Sequence, residues 1–137
     1  MTRNINLDRR AVALLRRGQK TRLCAPVFPL PPPSFPLGEL RCPFGSDGDR
    51  LLVQDTDGLL LRVEDARLSR LDEVTEQEAR EVGLGPCLCV GHTGRRHLCR
   101  FIETWQRRAR RLDAGDNPLM WLVEVSVVRA GASTAGR

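Results

Sequence analysis

Six of the nine prolines in this 137-residue chain crowd into Pro26-Val27-Phe28-Pro29-Leu30-Pro31-Pro32-Pro33-Ser34-Phe35-Pro36. Proline fixes φ near about −65° and has no amide to donate, so this run can be neither helix nor central strand. It predicts a stiff connecting loop over residues 25–37, with a polyproline ligand for an SH3-like partner as the alternative. The loop leaves room for one short helix before it and places the rest of the fold after it. A chain of this length is enough for one core and too short for two comfortable ones.

Before the loop, Asn4–Leu7 reads as a short strand. Asp8 is an N-cap for a helix over Arg9–Arg17, with Ala11, Leu14 and Leu15 on one face and Gly18 as its stop. After the loop, Arg41-Cys42-Pro43-Phe44-Gly45-Ser46-Asp47-Gly48-Asp49-Arg50-Leu51-Leu52-Val53 is a turn running into an apolar strand. Leu51–Gln54 and Leu59–Val63 are predicted as strands joined by the turn Asp55-Thr56-Asp57-Gly58, and Ala66–Leu71 as a further strand. Thr75 and Glu78 form a capping box for a short helix, Glu76–Val82, ended by Gly83. Leu98, Ile102, Trp105, Ala109 and Leu112 recur on one helical face, and Leu119–Val128 closes the chain as a strand. Short strands with two or three helices make an α+β domain over residues 1–129, and residues 130–137 are expected to be a disordered tail.

No apolar run approaches the roughly 20 residues of a membrane span, and the N-terminus lacks the apolar stretch of a signal peptide. The expectation is a cytoplasmic monomer whose five cysteines stay reduced. Net charge is +5, compatible with a polyanionic partner without requiring one. Of the 22 basic residues only Lys20 is a lysine, which singles it out as a compact, titratable amine in an arginine background. Arginines group at Arg9, Arg10, Arg16 and Arg17, at Arg95, Arg96 and Arg100, and from Arg107 to Arg111. Such runs suit solvated helix faces or phosphate contacts. Aromatics are only 4% with no tyrosine, which disfavours a base-stacking platform.

Cys87, Cys89, His92, His97 and Cys99 offer five potential ligands within 13 residues. The Cys-x-Cys spacing departs from the common zinc knuckles and no second cysteine pair follows. The favoured reading is a reduced variable loop over 83–99 with no cofactor; a metal site is the alternative.

The turn-strand block at Arg41–Val53 and the closing block Asn117-Pro118-Leu119-Met120-Trp121-Leu122-Val123-Glu124-Val125 together resemble small phage and prophage proteins of the ASCH family, within the PUA-like superfamily. Leu14-Leu15-Arg16-Arg17-Gly18-Gln19-Lys20-Thr21 and Thr75-Glu76-Gln77-Glu78-Ala79-Arg80-Glu81-Val82-Gly83 are similar to further family segments, and Trp105 falls where members often carry a tryptophan. The resemblance implies a small PUA-like β-barrel of five or six mostly antiparallel strands, with helices at its rim. It also implies a link to RNA or a nucleoside-type ligand. Some members are nucleoside amidohydrolases using a Lys, a Thr three residues later and a distant Glu; others cleave RNA.

Mapped onto this chain, the family Lys is Lys20, the Thr position is Leu23, and the Glu position is Val82. Thr21 would face the opposite side of a strand from Lys20. Glu81 would be rotated by about 100° from the Val82 position on a helix. The sequence therefore points to a binding protein rather than an enzyme, with Lys20 and Glu81 as the catalytic candidates should a rearranged amidohydrolase or ribonuclease persist. A non-catalytic phage accessory protein that contacts a host protein through the proline-rich loop is the third reading. Lys20, Thr21, Arg22, Arg95, Arg96 and Arg100 are the candidate nucleic-acid contacts.

Overall fold

The computed structural model describes residues 2–27, 31–32, 34–89, 91, 94–112, 115 and 117–128. His92 and the 130–137 tail thus lie outside the described residues. The chain runs β1 (Thr2–Ile5), α1 (Arg9–Arg16), β2 (Arg22–Pro26), β3 (Arg50–Val53), β4 (Leu60–Arg70), α2 (Glu76–Val82), α3 (Arg96–Arg111) and β5 (Leu119–Val127). Short 3-10 turns occupy Leu37–Glu39 and Leu71–Glu73.

The local signals work as their chemistry predicts. Asp8 Oδ1 accepts from the Ala11 amide at 2.7 Å, capping α1. Thr75 and Glu78 close a reciprocal capping box at the start of α2, which Gly83 ends at φ 88°. β3 and β4 form the expected antiparallel hairpin, with Leu51 opposite Leu61. The preceding turn is braced by Asp49, whose Oδ2 accepts from the Ser46 amide at 3.0 Å. Gly45, at φ 94°, packs so closely there that a Cβ would stand 2.5 Å from that same Oδ2. Only glycine meets both demands.

The five strands form one mixed sheet in the order β1-β3-β4-β5-β2. Only the β1–β3 ladder is parallel; the other three are antiparallel. The barrel implied by the family resemblance is not formed: among the described residues β1 and β2 are open edges with one partner each. The physical reason lies in those edges. β1 has only four residues. β2 ends at Pro26, where the proline-rich run begins and amide donors for a further ladder become scarce. Two other expectations are corrected. Ala66–Leu71 is not a separate strand but the far half of β4, which continues across a register shift between Val63 and Asp65. Arg22–Pro26, not read as a strand, is β2.

β5 lies between β4 and β2 and is apolar on both faces. Leu119, Trp121, Val123 and Val125 join a core with Leu15 of α1, Leu23, Leu51, Leu61 and Val63. Met120 and Leu122 face the opposite way, into a second core with Ala79 and Val82 of α2 and Phe101 and Trp105 of α3. The sheet is thereby covered by α1 and the 40–44 loop on one side, and by α2 and α3 on the other. Phe101 is fully buried, contributing about 2–3 kcal/mol of apolar burial. Among the described residues no helix is long and apolar enough to cross a membrane.

Candidate functional site

The chain leaves α1 through a tight turn in which the Gln19 and Lys20 amides both donate to Leu14 O. It then enters β2 with alternating directions: Leu23 points into the α1-side core, while Lys20, Arg22 and Cys24 address the α2–α3 side. The Thr21 amide donates to Glu81 O at 2.8 Å and Thr21 O accepts from the Val125 amide at 2.9 Å. Thr21 therefore serves as a backbone splice between α2 and β5.

Lys20 is half-buried, and its Nζ donates to Val82 O at 2.7 Å, at the last residue of α2. A cation at helix C-terminal carbonyls is favoured by the helix dipole. Burial lowers its pKa from the ordinary lysine value, while the Cys24 thiol and the Asp8 carboxylate oppose that shift. Cys24 responds in the opposite sense. Burial pushes its thiol up to about 12 against the pull of Lys20, Arg22 and Arg108. The thiol thus stays protonated at neutral pH and is a poor nucleophile.

These groups open onto a cleft of about 390 Å³ between the start of α1, β2 and α3. Asn6, Asp8, Lys20, Cys24, Thr104 and Arg108 supply its polar groups, and Phe44, Leu84 and Trp105 its apolar walls. The Arg108 guanidinium sits 5.0 Å from the Trp105 ring centre, in cation–π contact at the rim. Two cations, one carboxylate and an aromatic wall can receive a flat, anionic or polar molecule.

Glu81 lies outside the cleft of Cys24 and Arg108 but shares a second depression, of about 670 Å³, with Lys20, Thr21, Glu64 and Glu124. Its Oε1 accepts from Arg22 Nε at 2.7 Å and its Oε2 from Gln77 Nε2 at 3.3 Å. Burial alone would raise its pKa, but those hydrogen bonds and the Arg22 charge leave it below the ordinary glutamate value. In the cleft that Lys20 shares with Cys24 and Arg108, the carboxylate is Asp8, whose Oδ1 caps α1. Leu23, at the position of the family threonine, is buried in the α1-side core and borders the cleft as an apolar wall without a hydroxyl. Arg95 and Arg100 line surface depressions other than the cleft that holds Lys20 and Arg108. Arg96 opens α3 next to them.

His97 is tied to α2: its Nδ1 lies 2.9 Å from Glu76 Oε2, while Glu76 Oε1 accepts from the Leu98 amide at 2.9 Å. Burial raises the Glu76 pKa, and these bonds from Leu98 and His97 more than offset that. Cys87, Cys89 and Cys99, by contrast, come together with their sulfurs within 4.8 Å of one another. In the sequence Asp8 reads as a cap alone, and Cys24 and Thr104 carry no motif that marks them. The signal for Cys24 was its i+4 spacing from Lys20, which in extended chain returns to the same face.

No protein-family model matches this sequence, and no curated protein does either. The comparison with solved structures decides the matter. The ASCH domain from Lactobacillus crispatus JV V101 superposes with a TM-score of 0.54 at 18% identity, over 85% of this chain and 69% of that one. The chain has an ASCH-like fold. Protein EF3133 from Enterococcus faecalis V583 is similar at TM-score 0.53 and 20% identity, over 87% of this chain and 70% of its own. A variant of ZmASCH from Zymomonas mobilis gives 0.51 at 12% identity, over 99% and 81%. At such identities the likeness is one of fold. The ASCH-like fold carries the Arg41–Val53 block as the turn and β3, and the Asn117–Val125 block as the entry to β5 and most of that strand.

Proposed function

We propose that this chain binds RNA or a nucleotide-derived ligand in the cleft around Lys20 and Arg108, and that it does so without the amidohydrolase chemistry known in the ASCH family. The observation that carries the proposal is the half-buried Lys20 ammonium beside Cys24 and Asp8, in a cleft rimmed by the Arg108–Trp105 pair. The ASCH-like fold supports it. A phosphate oxygen at the cleft mouth would meet Arg108, and a base or ribose edge would meet Asn6, Thr104 and the Trp105 wall.

The same geometry argues against turnover. The cleft thiol is held protonated, Asp8 is occupied as a cap, and Glu81 is locked to Arg22. A nucleophile must be ionised or have a base beside it, and burial keeps the Cys24 thiol protonated. Thr104 is the one hydroxyl in the cleft among the described residues, and it donates to Arg100 O at 2.8 Å within its own helix.

Fluorescence anisotropy with labelled single-stranded RNA, competed with mononucleotides, tests the reading. The expected result is a salt-sensitive affinity, with log K falling by about 0.7 per phosphate contact for each unit of log salt. Absence of salt-sensitive binding to any RNA or nucleotide would overturn it.

A further inference from the structure

We propose that Cys87, Cys89 and Cys99 form a three-thiolate site for a thiophilic d10 cation, with Zn²⁺ as the natural probe. Their sulfurs lie within 4.8 Å of one another, and the Cys89 and Cys99 sulfurs are 4.0 Å apart. Zinc–sulfur bonds of about 2.3 Å place tetrahedral ligands about 3.8 Å apart, so the cluster needs to contract by at most about 1 Å.

The backbone explains why the three converge. Leu88 is 92% exposed, so in this extended segment Cys87 and Cys89 turn to the other side. There they meet Cys99, in the first turns of α3. The Cys87 amide donates to Arg96 O at 2.9 Å, fixing the segment to the start of that helix. Cys87 is buried, while Cys89 is exposed and open to an incoming ion. Neutral thiols are weak hydrogen-bonding partners, so packing three together brings a reduced protein little. Binding displaces three S–H protons to solvent as three zinc–sulfur bonds form, with no change of oxidation state. The resulting site carries one net negative charge, beside Arg95, Arg96 and Arg100 and the α3 N-terminus. A fourth position remains for water or one added ligand. The ion would staple the 84–89 segment to α3.

The test uses full-length protein purified under reducing conditions without chelator. Zinc content by mass spectrometry and titration with Co²⁺ read the site directly. One equivalent of metal is expected, with the thiolate-to-cobalt charge-transfer absorption and visible bands of a tetrahedral ion. Cys89→Ser, at an exposed position, and Cys99→Ser should each weaken binding by at least about tenfold, the loss that even an outer-shell change brings. Cys42→Ser should leave it unchanged. Absence of thiolate bands with Co²⁺, bands that persist in Cys99→Ser, or a Cys89–Cys99 disulfide in place of metal uptake would each overturn the proposal.

Discussion

Lys20 and Cys24 share one cleft, and burial moves their protons in opposite directions: the ammonium is made more acidic and the thiol less so. The consequences for stability also oppose. With Cys24 raised from 9.0 to about 12, the unfolded chain loses this proton first as pH rises. The associated stability is complete below about pH 9 and fades toward about pH 12. Lys20, lowered from 10.5, does the reverse: stability grows as pH climbs through its folded pKa toward the unfolded value. Cys24→Ala removes the first effect, and with it the thiol's opposition to the Lys20 shift. Relative to the parent, its stability should improve by up to about 2 kcal/mol between about pH 8 and about pH 10.5. Urea midpoints under reductant measure this; parallel pH profiles for the two proteins would show that the thiol is not held in a dry site.

Elements meet where α2 ends. Gly83 adopts φ 88°, and a Cβ there would lie 3.2 Å from Leu14 Cδ1 and 3.3 Å from Lys20 Cβ. Gly83→Ala should therefore cost about 1–2 kcal/mol from the left-handed conformation, plus whatever the crowding adds. A denaturation midpoint indistinguishable from the parent would refute the tight α1–α2 junction. This helix was readable in advance because Thr75, Glu78 and Gly83 are short-range chemistry. β4 was read as two strands because a register shift between Val63 and Asp65 breaks its alternation, and such bulges depend on the partner strand. β2 went unread because Arg22-Leu23-Cys24-Ala25-Pro26 has little strand preference of its own. Its pairing partner, β5, lies about a hundred residues away in the chain.

At the scale of the molecule, sheet closure was the least legible property, since it depends on whether β1 and β2 meet rather than on any one segment. The site divides the same way. Lys20 stood out through its uniqueness and its place in a family-like segment. Asp8 comes to it from the N-cap of α1, and Thr104 and Arg108 from the middle and the last turns of α3, which the packing of that helix against the sheet brings there. The charge of +5 gives weak general attraction to polyanions, so a surface-wide contact and a cleft contact must be told apart. Single substitutions separate them. Arg108→Ala alters an exposed side chain with little effect on folding, and Lys20→Met removes the ammonium at the cleft floor. Arg110→Ala, on the same helix but outside the cleft, removes equal charge. The decisive measurement is RNA or nucleotide affinity of these three variants at one fixed salt concentration, with circular dichroism to show that each is folded. Binding in the cleft predicts losses of about tenfold or more for Arg108→Ala and Lys20→Met, and a near-neutral Arg110→Ala. Equal, small losses across all three variants would contradict it.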